Sequence, residues 1–212
     1  TTLFRSGVPL LLYTLLFTHG DTSLSLKCQP FPDLLCSQEL VVSTKVWNAS
    51  RPPLRYVSGA THRYLGRQYR LKIVRGARPE VALHGGCLHV VSSAPGESGV
   101  RKAMDEWYRR QARLQFERRV AVWDSWCCRQ QLPQPKMRLR SMSKRWGSAA
   151  RNGVIYLNPE LVRAPSACIE YVIIHEICHL KHPHHGKAFY SELRSLCPDW
   201  AARKERLESM EL

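Results

Sequence analysis

His175, Glu176 and His179 stand in the order H-E-x-x-H inside "YVIIHEICHLKHPHHGKAFY", residues 171–190, a stretch with five histidines. On a helix, side chains four apart leave from the same face, so two imidazoles reach one cation while Glu176 lies beside them. Neutral imidazoles suit Zn2+, a borderline-soft ion that is catalytic when three protein ligands leave a position for water. Held that way, the ion keeps its positive charge and brings the pKa of a bound water toward about 7. Glu176 is then the candidate general base that takes the proton and passes it on. The chemistry this pattern points to is hydrolysis.

Two ligands do not complete such a site. His182, His184, His185 and a distant carboxylate all compete for the third place. His182 lies nearly on the face of His175, but its backbone is drawn toward Pro183 and out of the helix. His185 lies past that break, where a chain reversal would return it to the metal. Its offset from His175, ten residues, is that of H-E-x-x-H-x-x-G-x-x-H sites, although His182 stands where those sites have glycine. Spacing puts His185 first and leaves the others open. Cys178, inside the motif, reads as a core residue rather than a redox switch.

The elements that must carry these residues follow from periodicity. "QYRLKIV" (68–74) alternates as a strand with Tyr69, Leu71 and Ile73 on one face. "VALHGGCLHVV" (81–91) sets Gly85–Gly86 between two apolar runs, a two-residue hairpin signal. "SAPGESG" (93–99) reads as a linker. A basic helix then spans about 100–131, with Met104, Trp107, Ala112, Phe116, Val120 and Trp123 at helical spacing, until "LPQP" ends it. "KMRLRSM" (136–142) and "GVIYLN" (153–158) read as strands, the latter a possible partner for an extended peptide. Pro165–Ser166 open the helix that carries H-E-x-x-H, and Pro183 terminates it. Two further helices cover Gly186–Leu196 and Trp200 to about Ser209. The expectation is an α+β protein: a small β-rich N-terminal part (about 56–98), the basic helix, and a second part over about 136–209.

The chain of 212 residues carries a net charge of +15, and between Arg101 and Arg151 there are 14 Lys/Arg against four acidic residues. Such an excess attracts anions, so nucleic acid or nucleotide phosphates are candidate partners of 101–151, beside the plainer reading of a solvated helix face. Metal-dependent attack on a phosphoanhydride is therefore a rival hydrolysis, and a nucleic-acid-associated binding protein is a rival of another class. Against the first, there is no P-loop and no carboxylate-rich magnesium site. The eight cysteines show no CxxC spacing, and they read as reduced packing residues of a cytoplasmic protein. The apolar run Val8–Phe17 is too short to span a bilayer and is signal-like, and residues 1–50 receive no function.

"RLRSMSKRWGSAARNGVIYLNPELVRAP", the H-E-x-x-H stretch and "CPDWAARKERLE" together resemble the YgjP-like metallopeptidase domain family, over about Tyr64 to Leu207. That family is bacterial, zincin-like, and related at its active site to SprT-like proteases. Arg145, Trp146, Gly147, Ser148, Leu157, Asn158, His175, Glu176, His179, Leu180, His185 and Phe189 match its pattern. Ala149 stands where Cys is usual, His184 for Asn, Gly186 for Ser and Tyr190 for Trp. The resemblance implies a zincin-like domain with an H-E-x-x-H active-site helix and Zn2+ held by His175, His179 and His185. It also implies Glu176 as catalytic base and a peptide or protein substrate. Tyr190, Tyr156 and Arg145 are candidates for stabilising an oxyanion, while Trp146 reads as a packed anchor and Phe189 as a residue beneath the His185 loop.

Overall fold

Leu71 is buried while Arg70 and Lys72 on either side are exposed, so the alternation of "QYRLKIV" becomes a strand with one wet face. The computed structural model describes residues 54–78, 80–92 and 96–210, all within the unit Asp33–Leu212. Residues 1–50, including the signal-like run, lie outside the described residues.

The architecture is α+β, as expected. A first sheet has strands β1 (Thr61–Tyr64), β2 (Arg67–Arg75), β3 (Glu80–His84) and β4 (Cys87–Ser92) in the order β1-β2-β4-β3. β2 and β4 run parallel and the outer pairs antiparallel. Gly85 and Gly86 have φ of 55° and 73°, the two left-handed residues that a two-residue hairpin needs. The inward side chains Leu71, Val81, Leu88 and Val90 are covered by helix α1 (Glu97–Ala121), which begins inside the expected linker. Its buried stripe is Val100, Met104, Trp107, Tyr108, Ala112, Phe116 and Val120, recurring mostly every three or four residues, as one face of a helix requires.

One helix over 100–131 does not form. α1 ends at Ala121, and a separate helix α2 covers Asp124–Arg129. The Trp123 N–H donates to the Val120 carbonyl at 2.9 Å, a three-residue tightening that turns the chain. The turn exposes Val122 (75%), buries Cys127 fully and sets Trp123 edge-on to Trp126.

A second sheet holds β5 (Lys136–Leu139), β6 (Gly147–Ala149) and β7 (Val154–Leu157) in the order β5-β7-β6. β7 is flanked on both sides, parallel to β5 and antiparallel to β6. The strand at 153–158 thus has no free edge for a peptide, and β6 is the edge nearest the H-E-x-x-H helix. A 3₁₀ helix, Pro159–Arg163, leads into α3 (Ser166–Lys181), followed by α4 (Lys187–Leu196) and α5 (Trp200–Glu208). α3 is buried from Cys168 to Cys178 apart from Glu170, packed by α1, α4, α5 and β6. It is tied to the first sheet by the β1–β2 turn, whose Gly66 lies so close to Pro165 that a Cβ would sit 2.9 Å from its Cα.

Candidate metal centre

Helix α3 presents His175 and His179 on one face, and the chain after it folds His185 back to them. One nitrogen from each of the three rings can be chosen so that all lie within 4.8 Å of one another. His175 Nε2 and His185 Nε2 are 3.1 Å apart. The reversal is local. His182 caps the helix with φ −123° and ψ 94°, the extended backbone that a residue before proline adopts. Pro183–His185 turn the chain, and α4 starts at Lys187.

The same turn explains His182. Its carbonyl is 3.1 Å from His179 Nδ1, so His179 donates there and keeps its Nε2 lone pair free. Its own ring faces Glu192, with Nε2 3.4 Å from Oε2. His182 thus orients a neighbour through its backbone and stands outside the triad. His184 is exposed and also stands outside it.

Phe189 of α4, fully buried, packs on all three rings, with centroids 5.0 Å from His175, 4.7 Å from His179 and 4.6 Å from His185. This apolar floor keeps the imidazoles uncharged. Burial lowers His175 well below the usual histidine range, with His179, His185 and Lys204 adding positive potential. Burial brings His185 down to about 4, helped by His179, Lys204 and His184, and also lowers His179. Neutral nitrogens are the form that binds metal. Two Nε2 atoms face each other and the Nδ1 of His175 is buried without a partner. Three convergent lone pairs have a common use in one cation, and the set fits Zn2+.

Glu176 points from α3 to the edge strand β6. Burial pushes its carboxyl up to about 8, against the opposing pull of Arg145 and a hydrogen bond from the Ala149 backbone N–H. The fit is close: a Cβ on Gly147 would stand 2.6 Å from Glu176 Oε1 and 2.7 Å from Cγ. Strand β6 is held from behind by Asn158, which is 3% exposed. Its Nδ2 donates to Met142 O at 2.8 Å and to Arg145 O at 3.5 Å, while its backbone N–H donates to Trp146 O at 2.8 Å. Gly147 and Asn158 enter the sequence reading only as pattern matches. The signal for their role was a glycine beside a strand edge and an asparagine ending the neighbouring strand.

The remaining candidates disperse. Tyr190 lies beside His185, with ring centroids 6.2 Å apart. Tyr156 instead sits under Arg140, and Trp146 is a partly buried residue packed on the core. Cys178 is buried and its thiol is pushed up to about 12 by burial, an inert core residue. All six described cysteines are free. The basic residues of 101–151 are divided among α1, α2, the second sheet and its loops. Arg101 and Arg113 sit beside Asp105 and Glu117 one turn on, and Arg119 bonds Gln115 and Ser166. These placements favour the solvated-face reading over a nucleic-acid or nucleotide surface. Among the described residues no helix is long and apolar enough to cross a membrane.

Compared with known proteins, residues 34–210 match the family described as YgjP-like, metallopeptidase domain. Among curated proteins none matches. A similar solved structure is the metallopeptidase zymogen of Pyrococcus abyssi abylysin. It is 19% identical, with 45% of this chain and 90% of that chain covered and a TM-score of 0.36.

Proposed function

We propose that this chain, which belongs to the YgjP-like metallopeptidase domain family, is a zinc-dependent peptidase whose ion is held by His175, His179 and His185. At family level it is a metal-dependent peptidase; the metal and the individual roles are the present reading. The observation that carries it is the convergence of three neutral imidazoles beside a buried carboxylate.

His175, His179 and His185 would hold the zinc, which would supply Lewis acidity toward the scissile carbonyl and the attacking water. Glu176 accepts the proton of that water and returns it to the leaving amine. Burial raises its proton affinity above that of an exposed glutamate, and a cation bound at the triad would draw it back toward the ionised form that takes the proton. The Ala149 N–H and the Gly147 backbone fix where the carboxylate stands. His179 is oriented by the His182 carbonyl, and Phe189 excludes water from behind the ligands. An extended segment of a peptide or protein substrate would lie along the open edge of β6. Arg145, next to that edge and positive toward Glu176, is the favoured partner for negative charge developing on the substrate.

The test is cleavage of an unfolded protein such as labelled casein. It should stop on chelation, return with zinc, and be lost in Glu176→Gln while the metal is retained. Cleavage that persists in Glu176→Gln would remove that residue from the proton transfer.

A further inference from the structure

The β3–β4 hairpin carries a second group of metal-binding side chains, remote in sequence from the triad. Its register pairs His84 with Cys87 and Ala82 with His89 across a turn closed by Gly85 and Gly86. Alternation puts Cys87 and His89 on one face of β4, and His84 on that same face of β3. The opposite face carries Leu88 and Val90, both fully buried. The His84 and His89 rings lie 6.2 Å apart, and Cys87 is a free, half-buried thiol. On a sheet face, directly opposite residues such as His84 and Cys87 lie about 5 Å apart between Cβ atoms and diagonal ones such as His84 and His89 about 7–8 Å, a span that histidine side chains reaching for one ion can bridge.

We propose that His84, Cys87 and His89 form a second metal site, for a borderline-soft divalent cation of the zinc class, on the outer face of the first sheet. Thiolate and imidazole are both donors that such an ion takes, and three protein ligands leave the fourth position to solvent. Binding releases the thiol proton of Cys87 to solvent, and both histidines bind neutral. On β2, Arg70 and Lys72 pair with Cys87 and His89. The thiolate of the bound form offsets one charge of the ion. The triad on α3 already converges, whereas here the exposed His84 must turn about its side-chain bonds; the backbone register stays as it is. A bound ion would staple β3, an edge strand, to β4.

Cobalt(II) titration of the full chain tests this, because a thiolate ligand gives a near-ultraviolet charge-transfer band that a three-histidine site lacks. The wild type should take two equivalents, one of them with the band. Cys87→Ser should lose that equivalent and its band, keeping the other equivalent and the peptidase activity. His84→Ala should weaken the band-linked binding tenfold or more. A wild type without a charge-transfer band, or a band that survives in Cys87→Ser, overturns the proposal. The band-free equivalent, lost in His185→Ala, reports separately on the α3 triad.

Discussion

Replacing Gly147 by alanine puts a methyl group where Glu176 already stands. The added Cβ would lie 2.6 Å from Oε1, 2.7 Å from Cγ and 2.9 Å from Cδ, whereas ordinary contact begins at 3.4 Å. The carboxylate must therefore move by about 0.8 Å, away from β6 and out of line with the Ala149 N–H. A misplacement of about 1 Å in a catalytic group costs on the order of 100-fold in rate, equivalent to about 2.7 kcal/mol of barrier. The expected result for Gly147→Ala is a fall in kcat of about 10- to 100-fold, since flexible groups absorb part of the clash. Metal content should be unchanged, because the added Cβ meets Glu176 and none of the three histidines. The assay is turnover on labelled casein with metal analysis of the same sample. Activity within twofold of wild type, with metal bound, would refute the idea that β6 positions Glu176.

Three other outcomes follow from the same contacts. Asn158→Ala leaves the Met142 carbonyl without its buried donor, so stability should drop by about 1–3 kcal/mol in denaturant unfolding, with a loss of kcat at unchanged metal content. His62 is buried, its Nε2 bonded to the Arg55 carbonyl, and burial lowers its pKa from 6.5. A lowered folded-state pKa means that the unfolded chain takes up the proton first. The stability it contributes is present above pH 6.5 and is lost as pH falls through the folded-state value. His62→Gln should therefore flatten the fall in stability below about pH 6.5, by up to about 1.4 kcal/mol per pH unit. An unchanged slope would assign that loss to other groups. Alanine at Phe189 should loosen all three imidazoles at once, lowering stability by about 3–5 kcal/mol and zinc affinity with it. A zinc affinity equal to wild type would show that the ring does not hold the ligands.

What the sequence made legible was what depends on local spacing. Helix α3 shows in its apolar run between Pro165 and Pro183, and the hairpin in Gly85–Gly86, because each is set by a few neighbours. The offset of His185 pointed to it, but its approach depends on the extended backbone of His182, so spacing alone left four candidates open. Nothing local marks the break at Val122–Trp123, since Trp123 and Cys127 continue the apolar stripe of α1; burial of Cys127 and the tryptophan pair appear only in three dimensions. The central place of β7 and the closeness of Gly147 to Glu176 are hidden for a similar reason. The first depends on sheet order and the second joins residues about 30 apart through packing, neither of which a period encodes. The hairpin histidines and Cys87 were legible as a turn and strands, but their common face follows from the register.

The most direct measurement is metal content by mass spectrometry on the purified Cys87→Ser chain, which lacks the proposed hairpin site, beside the same chain carrying His185→Ala or His182→Ala, each treated with one equivalent of zinc and desalted. The α3 triad predicts that zinc is present in the Cys87→Ser chain and when His182→Ala is added, and absent when His185→Ala is added. Zinc retained with His185→Ala and lost with His182→Ala would contradict the ligand set, and a Cys87→Ser chain that holds no metal would contradict the zinc peptidase itself.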